Sequence, residues 1–193
     1  MKKAWIVILV VVVVIVIAAV SAYNGLVTKQ ESVNTAWSNV ETQYQRRADL
    51  IPNLVNTVKG YASHEQQTFT EVTAARARAT QMTVDAENLT PEALAEYNQA
   101  QGELGSAIGR LLMIQENYPE LKANQNFLEL QSQLEGTENR INVARRDFNE
   151  VARDYNTTIR RFPRNIVASM FGFDPKPYFE AAEGAETAPV VQF

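Results

Sequence analysis

The sequence predicts an all-α protein: an N-terminal transmembrane helix followed by an antiparallel four-helix bundle of long, coiled-coil-like helices. Three observations predict it. An uncharged apolar run opens the chain. Apolar residues then recur at alternating steps of three and four through most of the remainder, the period of narrow helical seams. No stretch beyond the opening run alternates with the period of two that a strand requires.

The apolar run covers Ala4 to Ala22, with eight valines and four isoleucines between Ile6 and Val20. As a helix it is about 28 Å long, close to the ~30 Å hydrocarbon core of a bilayer. Trp5 and Tyr23 stand at its ends, where amphipathic rings favour the membrane–water interfaces. Valine's low helix propensity matters little in lipid, because every backbone group must be paired within the segment. The competing reading is a cleaved signal peptide, with Lys2 and Lys3 as its basic region and Val20-Ser21-Ala22 as a loose cleavage site. The run exceeds the usual apolar length of about 7–15 residues, which favours an uncleaved anchor. Lys2, Lys3 and the amino terminus outweigh Lys29 and Glu31, which cancel, so the positive-inside rule places the domain outside the cytoplasm.

The 193 residues carry 18 basic and 22 acidic groups, a net charge of −4. No basic stripe accompanies exposed aromatics, so nucleic acid is not an expected partner. There is no cysteine, which excludes disulfides, thiol catalysis and a lipoprotein anchor.

Four seams predict four helices. Val33, Trp37, Val40, Tyr44, Arg47, Ile51, Leu54, Val58 and Tyr61 mark the first, at roughly 26–60. Phe69, Val72, Ala75, Ala79 and Met82 mark the second, at 64–84. Leu94, Tyr97, Gln101, Leu104, Ile108, Leu111, Gln115 and Tyr118 mark the third, at 91–117, with Thr90 as N-cap and Pro91 at the first helical position. Phe127, Leu130, Leu134, Thr137, Ile141, Ala144, Phe148, Val151 and Tyr155 mark the fourth, at 124–162, ended by Phe162-Pro163.

Pro52 lacks the N–H that would bond the Ala48 carbonyl, and mid-helix it costs about 3 kcal/mol unless packing offsets it. The heptad phase survives across it, which favours one kinked helix over a fresh start capped by Asp49. Gly60 is the expected stop, in a left-handed conformation after Lys59, and Ser63-x-x-Gln66 reads as a capping box. The alternative is one unbroken helix to Met82 and a three-helix rod. Four helices return the C-terminus to the membrane side; three leave it at the far end.

Chemistry is sparse. His64 is the only imidazole, and the paired Glu-x-x-His motifs of di-iron bundles are absent, so His64 is read as a polar corner residue and no metal or cofactor is expected. Nucleophile-elbow, P-loop and dinucleotide motifs are missing. Gly102, Gly105 and Gly109 share one helix, and the spacing of Gly105 and Gly109 reads as close helix–helix approach. Arg47 falls on a seam, with Glu138 and Glu103 as candidate partners; snorkelling at the bundle edge is preferred over a polar layer that fixes register. Phe171, Phe173, Tyr178 and Phe179 crowd a segment expected to pack on the bundle base or lie on the bilayer. Residues 183–193 are expected to be disordered.

Several stretches together carry a resemblance: "YNGLV", "AWSNVETQYQRRADLIPNLVNTVKGYASHE", "ARARA", "YPELKANQNFLELQSQLEGTENRI", "ARRDFNEVARDYN" and "FGFDP". The chain resembles the LemA family of bacterial membrane proteins over about residues 20–175. The resemblance implies a single N-terminal span and an antiparallel four-helix bundle, and it carries over no catalytic residue because the family has no agreed activity. The expected organisation is therefore an anchor at 1–23 contacting lipid through 4–22, a bundle at 24–163, an aromatic segment at 164–182 and a tail at 183–193. The expected function is a non-catalytic scaffold or protein-interaction module of the bacterial inner membrane, with self-assembly open and protein partners unknown. An envelope sensor with the Pro52 kink as its movable element is the alternative. Arg47, Pro52, Gly60, His64, Glu138, Phe171, Phe173 and Phe179 are the candidate structural or interaction residues.

Overall fold

A computed structural model of the protein describes residues 2–180. The tail at 183–193 lies outside the described residues. Those described form six α-helices and no strand: α1 (Lys2–Lys59), α2 (Gln66–Gln81), α3 (Pro91–Met113), α4 (Pro119–Lys122), α5 (Gln125–Arg160) and α6 (Arg164–Phe171), with a 3₁₀ turn at Ile114–Asn117.

The apolar run and the first seam are one helix rather than two. Nothing between them breaks the ladder: the Thr28 and Ser32 hydroxyls donate back to the carbonyls of Asn24 and Thr28, and Gly25 stays helical. The apolar half is long and apolar enough to cross a membrane, and Trp5 to Ile17 pack on nothing else in the chain. This is consistent with a single-pass membrane protein.

Pro52 sits in α1 without interrupting it. Its missing N–H frees the Ala48 carbonyl, as the sequence implies, and Arg76 of α2 takes that oxygen through Nε at 2.8 Å. A buried carbonyl without a donor costs free energy, so a charged donor from the neighbouring helix offsets the proline.

The chain turns back after Lys59, but not as expected. Gly60 is not left-handed; among the described residues only Gly172 has positive φ, at 73°. The helix end tightens instead, with the amides of Tyr61 and Ala62 both donating to Val58 O at 3.0 and 2.9 Å. The Ser63 capping box is also absent. α2 starts at Gln66, two residues late, and Gln66 Nε2 donates to the Ser63 carbonyl, whereas a capping box would have its Oε1 accept from the Ser63 amide. α2 ends at Gln81, not 84, because Met82 is extended and the Val84 carbonyl turns to accept from Trp37 Nε1. α3 begins as predicted, with Thr90 Oγ1 accepting from Ala93 N. Its last turn narrows to 3₁₀ geometry before Pro119 opens the short α4. Asn124 caps α5 by accepting from Phe127 N, while its Nδ2 donates to Tyr61 Oη across the far corner.

Pairings fix the directions. Lys29 meets Asp154, Arg47 meets Glu138 and Tyr61 meets Asn124, so α1 and α5 run antiparallel. Glu71 with Arg110 and Arg78 with Glu103 make α2 and α3 antiparallel. α5 therefore returns the chain to the base of the apolar span. There α6, capped by Gly172 with Phe173 N bonded to Ala168 O, lays Val167 and Ala168 against the core.

Candidate functional site: a polar layer beside an open groove

The seams predict the buried faces well, and the core they form is split in two. One half gathers Trp37, Tyr44, Tyr97, Phe148, Tyr155 and Phe179 near the base. The other gathers Leu54, Val72, Leu104, Leu111 and Phe127 at the far end. The division falls on Arg47 of α1, Gln101 of α3, and Thr137 and Glu138 of α5.

Arg47 does not snorkel. It is 6% exposed, at the level where the two apolar halves meet. Nη1 donates to Glu138 Oε2 at 3.0 Å, and Nη2 donates to both the carbonyl and the Oε1 of Gln101 at 2.9 Å. Gln101 Nε2 reaches the Ala79 carbonyl of α2, so one layer touches all four long helices. Glu103, the other candidate partner, pairs with Arg78 instead. Arg47 Nε is buried without a partner. A buried guanidinium costs desolvation, and such a layer holds only when most of its donors are met. Glu138 stays half exposed, so the pair is wet on one side.

A second arginine completes the site. Arg145 of α5 donates through Nε to Tyr44 Oη at 2.7 Å and through Nη2 to Asn98 Oδ1 at 2.9 Å. Its guanidinium lies over the Tyr44 and Phe179 rings, and that of Arg47 lies over Tyr44 at 5.1 Å. Burial pushes the Tyr44 phenol above its usual pKa, partly opposed by the two arginines, and burial likewise pushes Tyr97 up.

Beyond Arg145 the helices α3 and α5 part, and no extended contact joins them among the described residues. A groove of about 450 Å³ lies between them, floored by Tyr44, Arg47 and Arg145 and walled by Ile108, Leu112 and Leu134. Gly102, Gly105 and Gly109 form its α3 edge. The expected close helix–helix approach at these glycines is therefore not made. A Cβ on Gly102 or Gly109 would meet nothing within 4 Å, and one on Gly105 would meet only Arg47 Nη1, at 3.7 Å. Glycine here leaves α3 a bare face rather than a tight contact.

The LemA family model matches residues 36–193, which includes this layer, the groove and the returning helix. The chain belongs to the LemA family. Magnetosome protein MamQ 2 of Paramagnetospirillum magneticum is 29% identical, covering 88% of this chain and 68% of its own. Magnetosome protein MamQ of Magnetospirillum gryphiswaldense is 28% identical over the same shares. Protein LemA of Metamycoplasma hominis is 26% identical, covering 85% of this chain and 71% of its own.

Of the residues singled out in this LemA-family sequence, Arg47 and Glu138 come together in the polar layer, and Phe171 and Phe173 meet on the Tyr23 ring at the base. Pro52 lies on the outer face of α1, and Gly60 and His64 are exposed in the far corner. No group of three or more metal-ligating side chains occurs among the described residues. Phe171, Phe173 and Phe179 all lie at the base but with different fates. Phe179 is buried, stacked at 15° on Trp37. Phe173 is half-buried, and Phe171 is exposed.

The residues that hold Phe179 escaped the sequence reading. Asn156 donates to the Lys176 carbonyl and accepts from its amide, and Asn149 does the same for Phe179, all at 2.8 Å. Two asparagines seven apart on α5 thus imitate a partner strand for the extended segment after α6. Lys176 is buried and donates through Nζ to the carbonyls of Ala86 and Glu87, tying this strap to the α2–α3 loop. Burial lowers its pKa, against nearby Asp174. The spacing of Asn149 and Asn156 beside the seam was the available signal.

Proposed function

We propose that this chain is a membrane-anchored, non-catalytic interaction module. Its single span crosses the inner membrane of a bacterial cell. An extracytoplasmic four-helix bundle, made of the second half of α1 with α2, α3 and α5, presents the α3–α5 groove to a protein partner. The groove carries the reading: a glycine edge and apolar walls suit inserted apolar side chains, and the arginines at its floor are already engaged by Gln101, Glu138, Tyr44 and Asn98. Cations already bonded to their own neighbours favour a floor for docking over a site that binds a charged substrate. The positive-inside balance at Lys2 and Lys3 supports the outward orientation.

A photocrosslinking residue at Gly109, compared with one at exposed Glu150 on the outer face, tests this in native membranes. A defined adduct from Gly109 and none from Glu150 is expected, whether with another protein or a second copy. Monomer alone from both positions contradicts the reading.

A further inference from the structure

The base of the domain carries an apolar cluster that the bundle does not use. Phe162, Ile166, Met170 and Phe171 are 80%, 52%, 73% and 59% exposed. Ile166 and Met170 lie one turn apart on α6, while Val167 and Ala168 on its other side are buried against the core. Soluble surfaces rarely leave such a cluster bare. Its depth is fixed by aromatic contact: the Phe171 and Phe173 rings lie 4.9 and 5.7 Å from the ring of Tyr23, which directly follows the apolar run. The segment that carries it is basic, with Asp174 the first acid after it. Arg160, Arg161 and Arg164 are exposed, and no acidic residue occurs from Arg160 to Phe173.

We propose that α6 and the turn before it form a membrane foot, with Phe162, Ile166, Met170 and Phe171 seated at the headgroup–acyl boundary. Arg160, Arg161 and Arg164 then face lipid phosphates. An apolar face beside arginines is the pattern of a helix lying in the interface, and long basic side chains can bury their stems while keeping their charge among headgroups. The foot holds α1 at its exit from the bilayer, so the bundle stands at a set angle instead of swivelling on a single helix. The occupant is lipid rather than a second copy because the cluster is continuous with the span through Tyr23. This inference rests on the anchoring reading above.

The chain has no cysteine, so single cysteines can be labelled cleanly. Met170→Cys, Val12→Cys and Lys59→Cys, each carrying an environment-sensitive fluorophore, are placed in the full chain. They are reconstituted in phosphatidylethanolamine–phosphatidylglycerol vesicles containing doxyl-labelled lipids. The expected result is strong quenching of Val12 by deep doxyl groups, quenching of Met170 by shallow ones with a blue-shifted emission, and no quenching of Lys59. Met170 behaving like Lys59 while Val12 is quenched overturns the foot and leaves the anchor standing. A blue shift at Met170 without lipid quenching also overturns it, in favour of a protein contact. An unquenched Val12 overturns the anchoring itself.

Discussion

Pro52 and Arg76 should be coupled through one carbonyl. In the native chain Ala48 O has no helical donor, because residue 52 is proline, and Arg76 Nε supplies the bond at 2.8 Å. Replacing Arg76 by Met keeps most of the stem and leaves the oxygen unpaired beside a buried Ala48. Hydrogen bonds to charged groups contribute roughly 1.5–3 kcal/mol, so Arg76→Met should cost about 2 kcal/mol. For a domain of this size that lowers Tm by roughly 4–8 °C. In a Pro52→Ala background the alanine amide can donate to Ala48 O, and the same Arg76→Met change should then cost no more than about 0.5 kcal/mol. Thermal unfolding of the four variants in detergent, followed by circular dichroism, measures the difference. Equal losses from Arg76→Met in both backgrounds would exclude the Ala48 carbonyl as the shared element.

Other consequences are equally direct. Arg47→Met leaves Gln101 Oε1 without its donor and should cost about 2 kcal/mol, whereas Arg47→Met with Gln101→Leu should recover part of it, because the orphaned Oε1 goes while only the long bond to the Ala79 carbonyl is lost with it; urea unfolding of both variants checks this. Asn156→Ala removes both bonds to Lys176 and should free the strap, seen as rapid amide exchange at Lys176 and Phe179 with α5 still protected. Burial, helped by the Asp174 charge, pushes the Tyr155 phenol up to about 12 from an ordinary 10.0. The folded state therefore holds a proton that the unfolded state loses first, so stability is complete below pH 10 and declines as pH rises toward 12. Tyr155→Phe should flatten that decline in Tm measured across the alkaline range.

Much of the helix framework is readable from spacing alone, because apolar burial is periodic and periodicity survives without knowledge of the partner. Trp37, Leu104, Leu134 and Phe148 all face inward as the seams require. Thr90 and Asn124 cap their helices because capping is local chemistry. The Gly60 corner fails locally, and the other failures occur where a distant group decides. Gly60 needs no left-handed turn because successive amides can share the Val58 carbonyl. α2 stops early because Trp37, far away in the chain, claims Val84 O. The glycines of α3 read as a contact motif, yet whether a neighbour fills the space they leave depends on where α5 lies. Arg47 was visible as a polar intruder on a seam; its burial depended on Gln101 standing at the same level on another helix.

On the proposed function, the glycine face of α3 is kept bare for association rather than for folding. Gly102→Leu with Gly109→Leu tests it, since a Cβ at either position meets nothing within 4 Å and the groove beyond is open. Helix propensity alone favours leucine over glycine by roughly 0.8 kcal/mol at each site. The variant should therefore unfold at a higher temperature than the parent, while the adduct formed by a crosslinker at neighbouring Leu112 in membranes disappears. A variant that unfolds earlier yet still gives the adduct would contradict that role.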